Sequence, residues 1–164
     1  MASVPVTVKR SQFQTFMNVA ASGAANYALI GDGVTSGVIN YNPQTLEETY
    51  IHQNSGSTEV ESYRPQFPLE QTCKKGDAVF DFVEAMRRKR AVLGEAKTDI
   101  VLVYLYETAV SGAFPAERQN VSIAVDDYGG DGGASNKINY TINFVGDAVQ
   151  GTFNPTTRAF TATP

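Results

Sequence analysis

Tryptophan is missing from this chain, and cysteine and histidine occur once each, as Cys73 and His52. A single cysteine leaves no internal disulfide and no thiolate-rich zinc site, so stability must come from packing and strand pairing. With a single histidine, any Ser-His-Asp or Cys-His constellation has to use His52, which sits beside Gln53 and Asn54 with no orienting carboxylate nearby in sequence. It reads as a surface-loop histidine, and Cys73, beside Lys74 and Lys75, as an ordinary half-buried thiol. Long apolar runs are absent too, and the N-terminal stretch has no basic segment followed by an apolar core, so the expectation is a protein made in a cytoplasm without a cleaved signal or a membrane span.

Charge is also scarce. Only 18% of the 164 residues are charged and the net charge is -4, whereas 42% are hydrophobic. A chain this apolar is not disordered, and its low charge share suggests surface reserved for protein contacts. Tight nucleic-acid binding draws its affinity from Lys and Arg neutralising phosphates, so the acidic balance argues for a non-adhesive relation to DNA at most. No Gly-x-x-x-x-Gly-Lys occurs, and "GDGVTSG" lacks dinucleotide spacing. "DDYGGDGGASN" matches a calcium loop at Asp127, Asp131 and Gly132, then fails at Gly129 and at Ile138, where a bidentate Glu belongs. It reads as a Gly-rich hairpin tip. No enzyme activity, cofactor or metal is implied.

The residues that are there read mostly as strands, in one domain over 1–164. Residues 1–35 are rich in small residues and punctuated by glycine, which suggests an N-terminal arm leading into the fold. "TEVESYRPQFPLEQTC" reads as one longer strand whose Pro65 and Pro68 place it at an edge or bend it. Between Tyr50 and Val60, turn chemistry at Asn54, Ser55 and Gly56 predicts a protruding hairpin over 50–60. "DIVLVYLYE" suits a strand covered on both faces. In "KINYTINFV", Ile138, Tyr140, Ile142 and Phe144 alternate with Lys137, Asn139, Thr141 and Asn143, giving one buried and one polar face. Asn154 to Thr157 join two last strands as a hairpin.

"GDAVFDFVEAMRRKRAVLG" predicts one helix over 77–93. Val79, Phe82, Val83, Met86 and Leu93 share a stripe with Phe80 at its margin, Asp77 caps the start and Gly94 supplies a stop. Acidic residues come first and Arg87, Arg88, Lys89 and Arg90 last, complementing the helix dipole, with Glu84 and Arg88 paired at i, i+4. The fold class is therefore mainly β, a β-sandwich or partial barrel with one flanking α-helix.

Residues 27–90 carry, in order, an aromatic-Leu-Ile-Gly-x-Gly start in which the aromatic is Tyr27, a strand with Asn-Pro, a "TYI" strand into a polar hairpin, a "Y-x-P" strand and a Gly-Asp-x-Val-Phe helix start. In this order they resemble the major tail tube proteins of long-tailed bacteriophages and related prophages. The resemblance implies a virion structural protein, assembled in the host bacterial cytoplasm, whose six-fold homomeric rings join their sheets into a β-barrel and stack into a tube. DNA passes through that tube without tight binding, and tape-measure, tail-tip and tail-terminator proteins are the implied partners. The hairpin residues His52, Gln53, Asn54 and Glu59 and the helix-end residues Arg87, Arg88, Lys89 and Arg90 are the candidate inter-subunit contacts. Two alternatives stand beside this: a monomeric β-sandwich binding module on a virion, and a tube subunit of a phage-derived injection device.

Overall fold

The structure, a computed structural model, describes residues 3–164. Its elements in chain order are strands β1 (Phe13–Asn18), β2 (Tyr27–Leu29), β3 (Pro43–Glu48), β4 (Ser57–Tyr63) and β5 (Gln66–Thr72), helix α1 (Ala78–Lys89), then strands β6 (Lys97–Tyr104), β7 (Phe114–Gly129), β8 (Lys137–Asn154) and β9 (Ala159–Ala162). One sheet runs β2-β1-β6-β7-β8-β5 with β9 beside the far end of β8, and β3 and β4 form a separate two-stranded sheet.

The apolar alternation in β8 is what the sheet is built on. Ile138, Tyr140 and Ile142 are fully buried, while their polar neighbours lie on the other face. On the buried side α1 lays Val79, Phe80, Val83 and Met86 across Ile100, Leu102, Val121 and Ile123. Each such side chain contributes about 1.5–3 kcal/mol on leaving water. The apolar run of β6 is covered on both sides, since Val101 and Val103 join a second cluster with Phe16, Tyr27, Ala116 and Phe153. That cluster is the inside of a rolled sheet. Phe153 packs 4.7 Å from Phe16 and 5.6 Å from Tyr27 between ring centroids, and Arg158 donates to the Tyr27 carbonyl at 3.3 Å, so β8 and β9 curl back onto the β1–β2 edge. Bulges in β7 after Arg118 and Val125 supply the curvature. Gln119 fills the first, its amide donating to the carbonyls of Asn120, Val145 and Gly146.

Several expectations change. Within the expected arm, residues 13–18 and 27–29 are sheet with a loop between them, because Phe16 and Met17 bury on opposite faces of β1; the exposed stretch 3–9 pairs with no strand among the described residues, and residues 1–2 of the arm lie outside the described residues. The long strand breaks at Arg64 and Pro65 into β4 and β5. Pro68 is at an edge: Gln66 and Thr72 donate outward to Asn40 and Gly33, so the N–H that proline lacks faces away from β8.

The helix starts as expected, with the Asp77 carboxylate accepting from the Phe80 N–H, but it stops at Lys89 rather than at 93. Arg90 adopts the left-handed conformation (φ 48°, ψ 52°), with Arg90 N–H on Arg87 O and Ala91 N–H on Met86 O. This is the two-bond termination usually given to glycine. Gly94 falls in a following short turn, and Leu93, left off the stripe, is 84% exposed.

Candidate functional site

The β3–β4 hairpin is a surface without an interior. From Tyr41 to Arg64 no residue is buried, and among the described residues neither strand pairs with any other. An isolated two-stranded hairpin is marginal in water and gains its stability from what it packs against. Yet Leu46, Tyr50, Ile51, Val60 and Tyr63 stand exposed on it and around its turn. Local bonds hold its base: Asn42 donates its side-chain amide to Arg64 O at 3.1 Å, and Tyr41 meets Tyr63 edge-on.

His52 and Gln53 lie in the turn at the tip, with the Gln53 N–H bonded to Tyr50 O, and Asn54 follows. The "TYI" residues 49–51 are turn rather than strand. His52 stacks on Tyr50. Glu59 lies on β4 opposite Leu46, and Leu46, Glu48, Tyr50, Ser57 and Glu59 line one shallow depression. Beneath the hairpin base, Tyr41 and Tyr63 overhang an open cleft of about 820 Å³ whose floor is Leu102, Gln119 and Phe144.

Four glutamates lie between Pro43 and Tyr63, at positions 47, 48, 59 and 61, and no Lys or Arg does. None of the four is in an ion pair among the described residues. Glu59 is thus one of four, and the one-sided charge of this stretch is legible in the sequence.

At the helix end the four cations divide. Arg87 belongs to the chain's own fold: it makes two bonds of 2.9 and 2.7 Å to Glu84 and lies 3.9 Å above the Tyr128 ring. Arg88 reaches the same carboxylate at 2.9 Å, although its side chain is 75% exposed. Hydrogen bonds from Arg87 hold the Glu84 carboxyl down at about 2, against the opposing pull of burial, with Arg88 adding to the effect. Lys89 and Arg90 are exposed and have no ion-pair partner among the described residues. The exposed Val92 and Leu93 follow them.

A third surface is the polar face of β5, β7 and β8 turned away from α1. It is laced by cross-strand bonds: Thr141 to Asp126, Asn139 to Asp127, Gln66 to Asn143, and the Lys137–Glu70 ion pair at 2.9 Å. The Gly-rich stretch after Asp127 is the turn joining β7 to β8, and no group of three or more His, Cys, Asp or Glu side chains able to hold a metal occurs among the described residues. Cys73 is half-buried at the end of β5, where burial first and then Glu84 push its thiol up, against the pull of Arg87. That favours the protonated and unreactive form.

No protein-family model matches the chain, and no curated protein matches it in sequence. Its structure is similar to known ones. It superposes on a chain from the tail of an empty GTA particle refined with C6 symmetry (TM-score 0.62, 12% identity, 95% of this chain and 100% of that one). It also matches the SPP1 tail tube (TM-score 0.65, 12% identity, 88% of this chain and 78% of that one). A chain from the sheath/tube terminator of the PVC extracellular contractile injection system is similar as well (TM-score 0.55, 10% identity, 90% of this chain and 99% of that one). The chain shares the fold of these tail and tube components.

Proposed function

We propose that this protein is the structural subunit of a phage tail tube, assembling into six-fold homomeric rings that stack into a conduit for the genome, and that it is not an enzyme. The observation that carries this is the hairpin, a separate two-stranded sheet with exposed apolar side chains on it and no other strand paired with it among the described residues. A monomer gains nothing from exposing such an arm, whereas a ring that uses it as a bridge buries it. The likeness to tail and tube chains, one of them in a C6-symmetric tail, supports a ring architecture for this reading.

His52, Gln53, Asn54 and Glu59 at the hairpin and Arg88, Lys89 and Arg90 at the helix end are assigned to subunit contacts, and the unpaired stretch 3–9 with its exposed Val4, Val6 and Val8 reaches a neighbour. Arg87, spent on Glu84 and Tyr128, supports that surface from within. The polar face of β5, β7 and β8 is assigned to the lumen. Its lysine is neutralised by Glu70, so it presents little to hold phosphate and DNA slides past. Tail-terminator, tail-tip and tape-measure proteins are the partners of the finished tube, which resides in the virion tail after assembly in the host cytoplasm.

A second reading is a tube component of a phage-derived injection device, favoured by the likeness to the PVC terminator. Both readings share the hairpin's role. Replacing residues 46–60 with Asn-Gly tests it: the shortened protein keeps its β-rich circular dichroism and fails to form sedimenting polymers. Polymer yield equal to that of the full chain overturns the role of the hairpin.

A further inference from the structure

We infer that the acidic hairpin of one copy seats against the basic C-terminal end of α1 of a second copy, with Glu59 and Glu61 facing Lys89 and Arg90. This rests on the self-assembly reading and names the contact that carries it.

Charge complementarity points to this occupant. The hairpin bears four carboxylates without a cation, and α1 ends in four cations of which Lys89 and Arg90 lack a carboxylate partner among the described residues. No ion pair joins the two patches within one chain. Each patch also has an apolar rim: Tyr50 and Ile51 at the hairpin turn, Val92 and Leu93 just after the helix. An exposed pair of opposite charges contributes little alone, but several beside a buried apolar rim set register and exclude wrong partners.

Arg90 stands at the very end of α1. A left-handed helix terminus favours glycine, and here it holds an arginine at φ 48°. The geometry of the contact also suits a tube. Two different patches of one chain meet head to tail, and such a heterologous contact repeats into a closed ring or an open stack rather than ending at a dimer.

The test is charge reversal with rescue. Glu59→Lys with Glu61→Lys on the hairpin, or Lys89→Glu with Arg90→Glu on the helix, lowers the polymerised fraction at low salt at least about tenfold, as like charges now meet. The four changes combined restore it. Circular dichroism and the melting temperature establish that each variant is folded. Unchanged polymerisation of either two-site variant, or no restoration in the folded four-site variant, overturns the pairing while polymerisation of the unaltered protein leaves the tube reading standing. An unaltered protein that never self-associates overturns both.

Discussion

The Tyr140 hydroxyl donates to Gln71 Oε1 at 3.1 Å in the middle of the core, and the amide of the same Gln71 donates to Asp77, the residue that caps α1. A second bond from that amide reaches Asp32 O at 3.0 Å. Sheet and helix are thus joined by a buried polar chain as well as by the apolar stripe, and burial pushes the Tyr140 hydroxyl up, which keeps it protonated as the donor. Tyr140→Phe leaves Gln71 Oε1 without its partner and lowers stability by about 1–3 kcal/mol. Gln71→Leu costs at least as much, and urea unfolding of the double variant gives less than the sum of the two because they share one network.

Glu84 makes stability depend on pH at the acid end. Its carboxyl is lowered from 4.5 to about 2 in the fold, so between those values the unfolded chain binds more protons. The stabilisation is present above about pH 4.5 and is lost as pH falls towards 2. Urea midpoints measured across this window fall more steeply for the wild type than for Glu84→Gln, and parallel curves contradict the assignment.

Arg90→Gly separates folding from assembly. Glycine relieves a left-handed terminus that costs a residue with a side chain about 1 kcal/mol, so the melting temperature holds or rises. If Arg90 meets a neighbour, the polymerised fraction falls in the same protein. A variant that is both stable and fully competent to polymerise removes Arg90 from the interface.

Gly151 allows β9 to lie on β8. A Cβ placed there comes 2.2 Å from the Thr161 carbonyl oxygen and 2.7 Å from the Phe160 ring, and the first of these is backbone that cannot step aside without moving the strand. Gly151→Ala therefore displaces β9 or costs about 1–3 kcal/mol, read as earlier unfolding and faster amide exchange at 159–162.

Much of this was legible in the sequence because the elements that carry it declare themselves locally. The alternation from Ile138 to Phe144, the continuous run of β6, the Asp77 cap and the Val79–Met86 stripe each follow from a period or a capping residue. β1 did not declare itself. It lies between two cores, so Phe16 and Met17 are adjacent rather than alternating, and its identity depends on pairing with β6. The end of α1 was equally silent, since Arg88, Lys89 and Arg90 are ordinary helix residues and the left-handed turn at Arg90 replaces the glycine signal expected at Gly94. For the proposed assembly surfaces, the sequence locates the hairpin and the basic cluster but not their condition. Only the fold reveals that Arg87 is bound by Glu84 and Tyr128 and that, among the described residues, no strand covers Leu46 or Val60.

Negative-stain electron microscopy of the purified protein across a concentration series, with mass from light scattering on the same samples, tests the central claim most directly. The expected result is hollow rings with six-fold symmetry that lengthen into tubes as concentration rises. Particles of monomer mass at every concentration, with no ring in any field, contradict it.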